Sequence, residues 1–426
     1  MRFIADLHIH SRYSRATSRD MSLESLWKWA QLKGITVIGT GDFTHPQWFH
    51  ELQEKLHNIG NNLFKLKYNN DANIPESCRG EVYFVLTAEV SCIYKKNGKV
   101  RKVHSLILAP DFAAVSKINA VLAGIGNISS DGRPILGLDA KELLRIVLDA
   151  SENALLVPAH AWTPHFSVFG AASGFDTLEE CYEELSGNIH AIETGLSSDP
   201  AMNRRLSALD RLTLISNSDA HSPSKLGREA NIFDTTISYN SIIESIKTEK
   251  GFLGTIEFFP EEGKYHNDGH RACGVSLSPE ETIKHNYLCP VCGRRVTVGV
   301  LHRVEKLADR KSGSGLEGRP PFYSLIPLQE IIAETKNMGV NTKTVNGEYF
   351  ALLEKLGSEF KILMDIPLDE IESAVSPSLR EAIGRVRSGK VEISPGFDGE
   401  YGKVRIFEEV KKKKKKGRGR IGTEGL

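Results

Sequence analysis

Two short runs suggest metal chemistry: His8 and His10 in Asp6-Leu7-His8-Ile9-His10-Ser11, and Asp219 and His221 in Ser218-Asp219-Ala220-His221. Alternate side chains of an extended strand share one face, so each pair can grip an ion from the same side. Between the pairs lie Asp42 and His45 in Gly39-Thr40-Gly41-Asp42-Phe43-Thr44-His45-Pro46, Glu89 in Thr87-Ala88-Glu89-Val90, and His104. His160 in Val157-Pro158-Ala159-His160-Ala161-Trp162 and Glu193 in Ile192-Glu193-Thr194-Gly195 complete the set. Neutral imidazole and carboxylate suit zinc, manganese and iron. Taken singly, each of these residues reads as solvated or hydrogen-bonded, but the conjunction is hard to explain as structure alone. Clustered divalent ions lower the pKa of water and neutralise charge developing on a phosphoryl oxygen, so phosphate-ester hydrolysis is the expected reaction. His45 or His165 can protonate a leaving oxygen, with surface hydrogen bonding as the competing role.

A second ligand set is local. His270-x2-Cys273 and Cys289-x2-Cys292, separated by fifteen residues, have the spacing of a tetrahedral structural zinc knuckle. Gly293, directly after the second Cys, permits the tight turn that aims backbone N–H groups at thiolates. His266 and His285 compete with His270 for the fourth position. Cys78, Cys92 and Cys181 are scattered and read as small core residues.

The elements that must position these groups follow from apolar patterning. Through residue 255, short apolar runs alternate with amphipathic stretches, which predicts strand and helix units around a mainly parallel sheet. Strands are expected at Ile35 to Ile38, Val82 to Leu86, Ser105 to Leu108, Leu155 to Val157, Ala191 to Glu193 and Thr213 to Ser216. Helices are expected at Leu23 to Leu32, His50 to Leu56, Ala140 to Ala150, Leu178 to Leu185 and Ser241 to Lys247. In such folds functional groups collect at strand carboxyl ends, where most of the candidate ligands fall. Residues 256–300 carry glycines among histidines and cysteines with little periodicity, as in a small metal-held module. Residues 301–408 read as mostly helical, near Leu328 to Lys336, Tyr349 to Leu356, Leu368 to Val375 and Ser378 to Arg387. Residues 409–426, with Lys411 to Lys416 unbroken, read as a basic, disordered tail.

Hydrophobic residues at 40% and charged residues at 25% are ordinary for a globular protein, and no window approaches a membrane span. The start reads as a buried strand and not a signal peptide, so a cytoplasmic location is expected. Formal charge is zero overall, but the stretch from Gly263 onward sums to roughly +6. Arg294, Arg295, Arg303, Lys306, Arg310 and Lys311 follow the knuckle and can meet phosphates, with Glu305 and Asp309 interleaved. Phe43, Trp162 and Phe166, and also Trp48, can stack on a base, with core packing as the alternative. The tail lacks an aromatic-ended sliding-clamp motif, so no clamp partner is expected.

The ligand pattern of the first 255 residues resembles the polymerase and histidinol phosphatase (PHP) superfamily of phosphoesterases. That resemblance implies a distorted α/β barrel with two or three divalent ions (Zn, Mn or Mg). It places one ion on His8, His10, Glu89 and Asp219, and a second on Glu89, His104 and His160. A third ion would use His221, with Asp42, His45 and Glu193 as further candidates, because Phe43 stands where the superfamily usually has a histidine. His266-Asn267-Asp268-Gly269-His270-Arg271-x-Cys273, Cys289-Pro290-Val291-Cys292-Gly293 and Gly299-Val300-Leu301-His302-Arg303-Val304-Glu305 further resemble the endonuclease Q family. This implies a barrel, a zinc domain and a helical domain in that order. The implied activity is cutting DNA on the 5′ side of deaminated bases or abasic sites. A phosphatase for histidinol phosphate or a nucleotide, and a DNA-binding accessory protein with a decayed site, are the competing readings. Reading a base requires extruding it, and a pocket between barrel and zinc module, near Pro158 to Gly170, is the expected place.

Overall fold

The computed structural model describes residues 1–68 and 73–407. The expected tail at 409–426, with Lys411 to Lys416, lies outside the described residues. The opening run forms β1 (Arg2–Asp6), whose Phe3, Ile4 and Ala5 are buried. It pairs in parallel with β2 (Val37–Gly39), and β2 in turn with β3 (Tyr83–Lys96). β3 turns back antiparallel into β4 (Lys99–Ala109), and β4 pairs antiparallel with β5 (Leu155–Pro158). β6 (Ala191–Glu193) and β7 (Thr213–Ile215) form a parallel pair. β8 (Ala230–Asp234) lies antiparallel to β1, and β9 (Phe252–Glu257) lies antiparallel to β8.

The sheet is therefore mixed where a mainly parallel one was expected. The cause is local: Asn97 and Gly98 sit at φ 52° and 72° between Lys96 and Lys99, the positive-φ pair that a two-residue hairpin requires. Closure of the barrel relies on side-chain amides. Ser216 N–H donates to Asn231 Oδ1 at 3.0 Å and Leu7 N–H to Asn217 Oδ1 at 2.8 Å. These two asparagines, themselves hydrogen-bonded to each other, add side-chain links to the short backbone pairing between the runs that follow β1 and β7.

Helices cover the outside for ordinary reasons. Leu23–Lys33 begins at Ser22, whose side chain accepts from Ser25 N–H, and ends at Gly34 in the left-handed region. Its Leu23, Leu26 and Ala30 enter the core. Ala140–Ala150 is capped by Asp139 in the same way. The stretch expected as one helix from Leu178 to Leu185 breaks after Tyr182 into a 3₁₀ segment, Glu183–Asn188.

The C-terminal region is docked on the barrel. Its strand β10 (Phe322–Ser324) adds to the barrel sheet parallel to β9. Helices Leu328–Lys336, Lys343–Leu356 and Pro377–Arg387 bury Leu328, Ile331, Leu353 and Ile383 in a core continuous with the barrel's. Lys33 Nζ meets Glu359 at 2.7 Å across this contact, and Tyr349 donates to the same carboxylate at 2.9 Å. A buried pair so satisfied specifies one docking geometry more than it adds net stability. Among the described residues, no helix is long and apolar enough to cross a membrane.

Candidate active site

His8 and His10 continue from β1, and the Asp219 segment follows β7. The two runs lie side by side: Asp219 N–H donates to His8 O at 2.9 Å and His10 N–H to Ala220 O at 3.0 Å. The pairs from opposite ends of the barrel sequence thus share one face. Glu89 reaches them from the middle of β3 and His104 from β4, while His160 follows β5 at φ 30°. A Cβ on Gly195 would come within 2.4 Å of His160 Cβ, so that glycine makes room for the imidazole.

The side chains form two groups that share Glu89. His8, His10, Glu89 and Asp219 each offer a ligand atom within 4.8 Å of the others, as do Glu89, His104 and His160. Glu89 Oε2 lies 3.3 Å from His10 Nε2, and Oε1 lies 2.6 Å from His104 Nδ1 and 2.9 Å from His160 Nε2. His8 Nε2, His10 Nε2 and Asp219 Oδ1 are buried without a hydrogen bond. Buried polar atoms are nearly always satisfied, so three orphans converging on one point fit a cation. Burial would raise Glu89, but His104 and Arg133 hold it well below the usual carboxylate range. Burial brings His104 down to about 4, so its imidazole is neutral and can act as a ligand at neutral pH.

Asp42 and Glu193, expected as possible ligands, stand one layer back. Asp42 Oδ1 is 3.0 Å from His10 Nδ1, and its Oδ2 accepts from Ser11 N–H, Ser11 Oγ and Ser14 Oγ. Glu193 Oε2 is 3.0 Å from His8 Nδ1 and accepts from His160 N–H, while Oε1 accepts from Asn217 Nδ2. Each carboxylate faces the ring nitrogen away from the cluster, the arrangement that fixes a ligand's tautomer and orientation. His221 also misses both groups. Its Nδ1 lies 2.9 Å from Asp219 O and its ring packs 4.5 Å from His10. No third ligand group occurs here among the described residues. Phe43 points into the core, and His45 is buried with Nε2 3.1 Å from Ser129 O and its ring stacked on Tyr13, so neither faces the cluster.

Sequence reasoning missed Arg133. It donates to Glu89 Oε2 at 3.0 Å, and its side chain is 27% exposed, so it is partly open to solvent while bound to the cluster's shared carboxylate. A lone arginine in the loop Ser129-Ser130-Asp131-Gly132-Arg133-Pro134 carries no periodic or spacing signal.

In the second ligand set, His270, Cys273, Cys289 and Cys292 converge, with Cys292 Sγ 3.5 Å from His270 Nδ1. A hairpin of Asp268–His270 and Val275–Leu277 supplies the first pair, and the Cys289–Gly293 turn the second, with Gly293 at φ 70°. His266 and His285 stand outside this group: His266 is buried elsewhere and His285 follows the helix Pro279–Lys284 on the surface.

Comparison with known proteins bears on this architecture. The MJ0043 C-terminal domain model matches residues 327–390. Over 253 residues the chain is 36% identical to protein MJ0043 of Methanocaldococcus jannaschii, covering 58% of this chain. The chain spans only 31% of that relative's length. The crystal structure of a lesion-specific endonuclease from Pyrococcus furiosus, PfuEndoQ, superposes with a TM-score of 0.83 at 32% identity, covering 100% of both chains. The chain belongs to the endonuclease Q family. Endonuclease Q in complex with a 27-mer duplex substrate, an abasic lesion at its active site, matches with a TM-score of 0.81, also at 32% identity, over 98% of this chain and 100% of that one.

In this endonuclease Q family member a cavity of about 810 Å³ opens where the barrel meets residues 258–266. Its walls include Thr163 and His165 after β5, Arg228, Phe258, and Tyr265 with His266 from the segment leading into the Cys/His group. The aromatics expected to stack are placed otherwise. Trp162 is buried against Phe169 and donates to Asn203 Oδ1 at 2.7 Å, and Trp48 is equally buried. Phe166 is half-buried with its ring 4.8 Å from His104. Apolar neighbours in the core hold Trp48 and Trp162, whereas Phe166 stays partly open beside the cluster. Arg303, expected on a phosphate, is buried in helix Val300–Leu307, donating to Phe169 O, Phe175 O and Asp176. Arg310 is likewise engaged by Asp210.

Proposed function

We propose that this chain is a metal-dependent DNA endonuclease that hydrolyses the phosphodiester 5′ of deaminated bases (uracil, hypoxanthine, xanthine) or abasic sites. The observation that carries the reading is the pair of ligand groups sharing Glu89 beside a cavity walled by the barrel and residues 258–266. The family match and the abasic duplex bound to its relative support DNA as substrate. His8, His10, Glu89 and Asp219 would hold one divalent ion, and Glu89, His104 and His160 a second, as Zn, Mn or Mg. Bound divalent cations supply water of lowered pKa and offset charge growing on a phosphoryl oxygen. Asp42 and Glu193 keep the His10 and His8 rings aimed, and Arg133 offers donors to a phosphate at the mouth.

We assign residues 1–255 to the phosphoesterase domain, 256–300 to a zinc domain held by His270, Cys273, Cys289 and Cys292, and 301–408 to the helical domain. An extruded nucleotide fits the 810 Å³ cavity, whose size and mixed aromatic and polar lining suit one base and its sugar. Extrusion costs a few kcal/mol and least at a mismatch, which itself favours deaminated sites. The six cysteines form no disulfide, which suits the reducing cytoplasm. The test is an end-labelled duplex bearing one uracil, incubated with and without chelator. A chelator-sensitive nick 5′ of the uracil is expected. Phosphate release from monoesters with intact DNA would establish the phosphatase instead, and DNA binding without a nick the accessory protein.

A further inference from the structure

A second groove has no part in the chemistry described so far. It encloses about 730 Å³ beside the β3–β4 hairpin and is separate in its lining from the cavity between the barrel and residues 258–266. Four cations line it, Lys99, Arg101, Arg303 and Lys306, against two carboxylates, Asp176 and Glu180. Arg303 already neutralises Asp176 at 2.6 Å, and Glu180 accepts from Asp176 N–H. Lys99 and Lys306 are exposed and close no ion pair among the described residues, although both act on Asp176 through space. Arg101 is buried against the Phe175 ring, and its Nε–H has no partner. The groove therefore presents uncompensated positive charge.

Its position relates it to the metal cluster. β4 carries both, with His104 at the cluster and Lys99 at the hairpin tip. Five residues at about 3.3 Å each put Lys99 roughly 16 Å from His104 along the strand. That is about five base pairs of duplex at 3.4 Å per step. Lys102, on the strand face opposite Lys99 and Arg101, sits with its Nζ 5.1 Å over the Phe166 ring, which packs on His104. The remaining wall is the loop Gly170-Ala171-Ala172-Ser173-Gly174, whose side chains are no larger than a hydroxymethyl, so a sugar-phosphate chain can approach its backbone closely.

We infer that this groove is a binding site for the DNA phosphate backbone, holding the duplex several base pairs from the cut through Lys99 and Lys306. The inference rests on the endonuclease reading for its partner, and it divides the work: aromatic and polar walls for the base, a cationic groove for the backbone. Such contacts position the duplex and carry no sequence information.

The experiment measures binding of undamaged and uracil-containing 30-mer duplexes to the full chain between about 50 and 200 mM salt. The variant is Lys99→Glu with Lys306→Glu, both exposed positions. The control is Lys250→Glu, an exposed lysine just before β9, at the end of that strand remote from the cluster. Each lost phosphate contact lowers the slope of log affinity against log salt by about 0.9, so a fall of about 2 is expected for the double variant. The control should leave the slope unchanged, and nicking at saturating DNA should keep its rate while KM rises. An unchanged slope in the double variant, or an equal fall in the control, overturns the groove. Because binding is read without cleavage, a wild-type chain that fails to nick defeats the endonuclease reading while leaving this measurement intact.

Discussion

The two ligand sets of this chain are built in opposite ways. In the barrel, His8, His10, Glu89, His104, His160 and Asp219 come from segments spread over some two hundred residues, and buried carboxylates brace the rings from behind. In the Cys/His knuckle, His270, Cys273, Cys289 and Cys292 come from two tight turns close in sequence, with a core of Leu277, Cys289 and Val296 and little else. A large core makes the barrel site; the second set has too small a core to hold its turns alone. The barrel should then stand without its ions, and the knuckle should not.

Zinc removal tests the larger half of that contrast. Structural zinc contributes on the order of 10 kcal/mol to small modules. A strong chelator, or Cys289→Ser, should abolish amide-exchange protection over residues 268–298 while the barrel strands keep theirs. Equal protection with and without chelator would mean the turns hold themselves. In the barrel the converse holds: Glu89→Gln should reduce cutting about a thousandfold, several kcal/mol of lost charge stabilisation, with a barrel that stays folded although its ion pairs to His104 and Arg133 are lost. A variant that unfolds instead would make Glu89 structural and erase the contrast.

A smaller effect is expected behind the ligands. Asp42→Asn or Glu193→Gln should weaken metal affinity about tenfold to a hundredfold, measured by competition with a chromophoric chelator. Full affinity in both variants would show that the rings are held by packing alone.

The smallest effect is in pH dependence, where the two regions should move in opposite directions. Burial, with Asp199 nearby, pushes Glu257 up to about 8, against hydrogen bonds from Thr255, Thr194 and Ser216. Its folded pKa exceeds the unfolded value, so its contribution is fully present at low pH and is lost as pH rises through about 8. Glu257→Gln should therefore flatten the alkaline decline in barrel melting temperature between pH 6 and 9. Burial would raise the Cys289 thiol, but backbone N–H groups of Cys292 and Val291 bring it down to about 7. In the ion-free knuckle that contribution is present at high pH and lost as pH falls through about 7, and a bound ion would move the loss to lower pH. As pH falls, exchange protection of the knuckle should be lost before that of the barrel, whose Glu89 and Asp42 carboxyls sit below their usual range.

Local pattern accounts for what could be read early. Same-face alternation in His8-Ile9-His10 and Asp219-Ala220-His221, Cys-x2-Cys spacing, and strand-end placement all act within a few residues, so sequence alone displays them. The Asn97-Gly98 turn was equally local, and attending to it would have predicted the antiparallel β3–β4 hairpin. Other assignments depended on which side chain arrives first from a distant segment. Whether Asp42 meets an ion or braces His10 depends on Ser11 and Ser14 closing over its second oxygen. Whether Trp162 faces a base or the core depends on Asn203 and Phe169.

By itself, the sequence determined the inventory: which residues can bind metal, that they form a barrel set and a knuckle set, and the family whose motifs they share. Only the tertiary structure decided their ranks. It divided the barrel set into atoms that face one another across a gap and carboxylates that stand behind them, and it brought in Arg133. It also committed Arg303 to Asp176 and left Lys99 and Lys306 facing open space. The reason is that donor type is a property of one residue, whereas a ligand, a brace and a phosphate contact differ only in what lies opposite. In this fold the opposite group comes from another strand.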